Sequence, residues 1–140
     1  MKQLLNSKRR QRRGAAAVEF AIVAPLFIML VFGMIEFGRM VMIQQVLTNA
    51  SREGARRAVV DGATIEDAKD VVEQYSASSS ITVPRENITV SPDPAVAKNG
   101  DPITVSVSIP FANVSWLPTP QHLESYELEA ATVMRRDKMP

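Results

Sequence analysis

Arg12, Arg13 and Gly14 run into Ala15, Ala16, Ala17, Val18, Glu19 and Phe20, and the chemistry this arrangement could support is a peptide cut with an electrostatic consequence. Glu19 is the only charge in residues 15–35. A carboxylate deep in hydrocarbon costs about 2.5–3.5 kcal/mol on insertion scales, and is rare there without a partner. Scission between Gly14 and Ala15 would release an α-amino group one helical turn from Glu19, which could then pair with the new terminus of its own or a neighbouring subunit. The competing reading leaves the chain uncut: Glu19 lies near the end of the span, extends to the head groups and pairs loosely with Arg12 or Arg13.

No other group of residues points to chemistry of its own. His122 is the only histidine, beside Pro120 in an expected loop, and cysteine is absent, so there is no Cys/His pair and no disulfide framework. Glu66, Asp70 and Glu73 fall at helical spacing and read as a solvated face, not an acid/base pair. Six glycines carry no phosphate-loop fingerprint. The expectation is a protein without enzymatic activity, cofactor, metal or small-molecule substrate.

The element that must position Gly14, Ala15 and Glu19 is a long apolar helix. Residues 15–35 number 21, which at about 1.5 Å each cover roughly 31 Å, the thickness of a bilayer core. A cleaved secretory signal has an apolar core of only about 7–15 residues, so this segment is expected to stay as an anchor. Pro25 removes one backbone donor inside the span, which membrane helices tolerate when neighbours satisfy the freed carbonyl. Lys2, Lys8, Arg9, Arg10, Arg12 and Arg13 precede the span without one acidic residue, which by the positive-inside rule keeps the N-terminus cytoplasmic and exports the rest.

Charge divides the chain in the same way. The whole protein carries 16 basic and 15 acidic residues, a net +1; six of the basic ones lie in the first 14 positions, leaving ten against fifteen, a net −5, beyond them. An acidic exported part is a poor partner for nucleic acid, which needs clustered positive charge. From Thr64 onward only 77 residues remain, a size at which a single core is marginal and burial against partner subunits would help.

Beyond the span the helical pattern continues over residues 36–60, with Ile43, Leu47 and Ala50 along one side. Ala50, Gly54 and Ala58 recur every four residues, as do Ala17 and Ala21, the spacing that lets helix backbones approach closely. Packing of helices in an assembly is one reading, and chance in an alanine-rich chain is the other. Glu53 can pair with Arg56 or Arg57 one turn on. Asp61 and Gly62 mark a helix stop, and Thr64 with Asp67 resembles a capping box with Asp in place of Glu or Gln. Ile65, Ala68, Val71, Val72 and Tyr75 form the apolar stripe of a short helix that ends in the serines 76–80 and is expected to lie on a sheet. Alternation gives strands around Ile88 and Val90, from Ile103 to Ile109, and over 126–134, the last against a competing helical propensity. Trp116, in a proline-rich loop over residues 111–123, could be a surface contact, but is expected to serve as core.

Four blocks in this order and spacing carry a resemblance: residues 12–21, then Pro25 and Leu26, then residues 35–39 (Ile, Glu, Phe, Gly, Arg), then residues 47–56 (Leu, Thr, Asn, Ala, Ser, Arg, Glu, Gly, Ala, Arg). Over about residues 12–60 the chain resembles the TadE-like pseudopilins of the tight-adherence, or Flp, pilus systems of bacteria and archaea. The resemblance implies cleavage after Gly14 by a membrane aspartic prepilin peptidase, with Glu19 as the pilin glutamate that aligns subunits. It also implies a minor role in pilus assembly, adhesion and secretion at the inner membrane, beside other pilins and Tad assembly proteins. The chain departs from other pilins at Ala15, where a large apolar residue often begins the mature protein.

The expected architecture is α+β: a basic leader over residues 1–14, a transmembrane helix over 15–37, a helical extension over 38–60, and an exported helix-on-antiparallel-sheet domain over 61–140. The alternative is an unprocessed signal-anchor protein whose exported domain binds an envelope ligand or partner.

Overall fold

With no β-branched run, no glycine pair and only Pro25 to interrupt it, the N-terminal segment is free to propagate as a single helix. In the computed structural model, which describes residues 2–116 and 126–136 and side chains from Gly14 onward, helix α1 spans Lys2–Ala58 and runs through Pro25 unbroken. Two compact units share the chain, Met1–Gly38 and Arg39–Pro140.

The first unit is helix alone. Its apolar side chains stand outward, with Phe20 at 73% and Met29 at 71% exposure, and the 45 residues Gly14–Ala58 include a stretch of mean hydropathy 2.4 that is not buried. Length and composition therefore suffice to cross a bilayer. An exposed surface this apolar marks a membrane or protein contact.

The second unit is built on residues 39–58 of α1. The helix ends where Gly62, at φ +76°, supplies a left-handed turn that a side chain would strain. Helix α2, Ile65–Ser78, then starts on a full capping box: the Asp67 N–H donates to Thr64 Oγ1 at 3.2 Å, and the Thr64 N–H donates to Asp67 Oδ2 at 2.9 Å. Three strands follow, β1 (Ile88–Ser91), β2 (Pro102–Pro110) and β3 (Glu127–Arg135), in the order β1-β2-β3 and antiparallel throughout. Gly100, at φ +85°, turns the chain into β2. The third strand resolves the competition with helix at 126–134: alternation of Leu128 and Ala130 against Glu127 and Glu129 outweighs local propensity, because it lets one face bury.

The inward face of β2, Ile103, Val105, Val107 and Ile109, is buried at the centre of the core, joined by Ile88 and Leu128 from the flanking strands. Ile43, Leu47, Ala50, Ala55 and Ala58 of α1 and Ala68 and Val72 of α2 cover it. Full burial of a Leu or Ile contributes about 1.5–3 kcal/mol, so the α1 residues supply much of what a 77-residue domain would lack. Residues 39–58 accordingly contribute to the core of the second unit.

One expectation needs correction. Trp116 is 73% exposed, not core: the loop after the short 3-10 turn Phe111–Asn113 buries Phe111 and Val114 in its place. Residues 117–125, which include Pro120 and His122, lie outside the described residues.

Candidate functional site

Gly14 and Ala15 are exposed on α1, and a Cβ built at Gly14 meets nothing within 4 Å. Glu19 is exposed one turn further on and makes no ion pair among the described residues. Ala17 and Ala21 are exposed as well, leaving their small faces open on the apolar helix. The helix thus holds the Gly14–Ala15 bond, the carboxylate and two small residues within two turns, all without intramolecular cover.

Ala50, Gly54 and Ala58 are placed differently. All three are buried inside the second unit, and a Cβ on Gly54 would stand 2.5 Å from Val72 Cγ2 and 3.3 Å from Val105 Cγ1. Their spacing does permit close approach, but of α1 to α2 and β2 of the same chain. These three are therefore unavailable to a neighbouring helix.

Polar contacts fix α1 in this seat. Buried Ser51 donates to Thr48 O at 2.9 Å and shares a 2.7 Å hydrogen bond with Thr132 on β3. Gln44 Nε2 donates to Glu129 O at 2.7 Å, and Arg39 Nε donates to Val114 O at 2.7 Å while its guanidinium stacks 4.5 Å above the Trp116 ring.

Sequence reasoning missed two arginines. Arg85 reaches Glu66 at 2.5 Å, Asp70 at 2.8 Å and Glu73 at 2.7 Å, so the carboxylates expected to form a solvated face are gathered around one cation. Their hydrogen bonds push the Arg85 pKa further up and keep it charged. Arg136 binds Asp61 at 3.0 Å and donates to the carbonyls of Pro94 at 2.5 Å and Ala97 at 3.0 Å. An isolated arginine 12 residues past an acidic stripe was the available signal for Arg85; for Arg136 there was none. The expected Glu53–Arg56 pair forms at 3.8 Å, while Arg57 turns to Asp67 at 3.4 Å.

What distinguishes the chain is thus a helix whose apolar stretch over residues 15–35 is uncovered, carries Glu19 as its one charge and leads into residues that form part of a core. Residues 14–56 match the TadE-like protein family. The TadE-like segment begins at Gly14 and ends at Arg56, within the last turn of α1, so it takes in the exposed apolar stretch and most of the part of α1 that packs in the second unit. Over that segment the chain is similar to TadE-like proteins. No curated protein and no solved structure matches it.

Proposed function

We propose that this protein is a minor pseudopilin: a non-enzymatic, membrane-anchored component of a Flp/Tad pilus assembly and secretion system that serves adhesion. A prepilin peptidase cuts between Gly14 and Ala15 on the cytoplasmic face of the inner membrane, where the six basic residues hold the leader. Glu19 then neutralises the released amine of its own or an adjacent subunit, and Ala17 and Ala21 admit a neighbouring helix at close range. The exported α+β unit faces the other pilins and Tad assembly proteins.

The observation that supports this most is the TadE-like match over residues 14–56, which takes in Glu19 and the exposed apolar side chains of α1. Intact-mass analysis of the protein purified from its native host tests it. A mature chain beginning at Ala15 is expected, and a chain beginning at Met1 beside an active peptidase would overturn the processed reading. Replacing Gly14 with a bulky residue should leave the leader attached.

A further inference from the structure

Exposed aromatic residues in the second unit gather where α1 enters it. Trp116, the only tryptophan, is held under the Arg39 guanidinium, and Tyr126, one of two tyrosines, is 53% exposed beside a groove of about 410 Å³ lined in part by Met40, Val41 and Leu128. The Phe111 N–H donates to Tyr126 O at 2.8 Å, which ties the loop carrying Trp116 to the start of β3. Val41, at 39% exposure, lines the same groove from α1. The other tyrosine, Tyr75, packs against the core.

The sequence fixes how far this cluster stands from lipid. Arg39 is two residues beyond Phe37, so its Cα lies within about 7 Å of the last apolar residue of the span, however the chain turns there. The head-group layer of each leaflet is about 5–8 Å deep. Arg39 therefore falls in or beside that layer, and Trp116, in contact with Arg39, falls there with it. Tryptophan and tyrosine favour this zone because a flat apolar ring and one polar hydrogen can be satisfied together, and a guanidinium pairs with phosphate.

We propose that Trp116 and Tyr126, with Arg39 stacked on the indole, form a collar that beds this end of the exported unit in the phospholipid head groups. The collar rests on the reading of residues 15–37 as a membrane span. It limits how far the unit can tilt against the bilayer surface.

The single tryptophan makes the test direct. The full chain is reconstituted into phosphatidylcholine vesicles brominated either high or low on the acyl chains, and Trp116 emission is read against acrylamide in the water. Strong quenching by the shallow bromines, weak quenching by the deep ones and protection from acrylamide are expected. Arg39→Ala should reverse that order towards acrylamide, with Arg39→Lys intermediate. Full acrylamide quenching without any bromine effect would overturn the collar. So would protection from both quenchers that varies with the protein-to-lipid ratio, since that marks contact with a second copy. Release of the protein by alkaline extraction would instead refute the span itself.

Discussion

Gly54 and Val72 are in contact such that one added carbon at Gly54 would lie 2.5 Å from Val72 Cγ2. Val72 is fully buried and β-branched, so it has little freedom to turn away. Alanine gains about 0.5–1 kcal/mol over glycine in a helix, whereas overpacking a core costs about 1–3 kcal/mol. Gly54→Ala is therefore expected to destabilise the second unit by about 1 kcal/mol, read as a lower thermal midpoint in detergent micelles. Val72→Ala should cost more by itself, and the double variant less than the two together, because the cavity of one change accommodates the methyl of the other.

That pair also shows where sequence was informative. The four-residue spacing of Ala50, Gly54 and Ala58 announced close approach, but periodicity cannot say whether the approaching backbone belongs to another molecule. The capping box at Thr64 and Asp67, the turn at Gly62 and the alternation from Ile103 to Ile109 were legible because each is a local preference that tertiary structure reinforces. Arg85 and Trp116 were not, since both depend on contacts between residues far apart in sequence: Arg85 on three carboxylates of α2, Trp116 on Arg39, 77 positions before it. The exposed first unit was legible throughout, as hydropathy alone determines it.

Removing Arg85 should leave Glu66, Asp70 and Glu73 repelling one another along α2. All four side chains are at least a third exposed, so the effect is screened by solvent and salt. Arg85→Ala is expected to lower the thermal midpoint measurably in low salt and by less in high salt, with Arg85→Lys between wild type and Ala. An equal loss at all salt concentrations would mean that Arg85 acts through packing of its stem.

The capping box gives an acid-dependent term. Hydrogen bonds from the Thr64 N–H and hydroxyl, with Arg57 nearby, hold the Asp67 carboxyl below its usual 3.8. A pKa depressed in the folded state contributes stability above about pH 4 that disappears as pH falls through the folded value. The stability difference between wild type and Asp67→Asn should therefore be constant at neutral pH and shrink to nothing on acidification. Thr64→Ala, which removes the cap, is expected to cost about 1 kcal/mol at pH 7.

Glu19→Gln separates insertion from assembly. An amide is cheaper than a carboxylate to place among acyl chains, so membrane retention after alkaline extraction should be undiminished. The amide cannot compensate the charge of an amine released at Ala15, so cross-linking between neighbouring chains and pilus output in the host should fall sharply. Glu19→Asp keeps the charge on a shorter stem and should recover part of that loss. Wild-type pilus output from Glu19→Gln, with the chain still cut at Ala15, would mean that the exposed carboxylate on α1 has no part in aligning subunits and that contacts of the exported unit carry assembly instead.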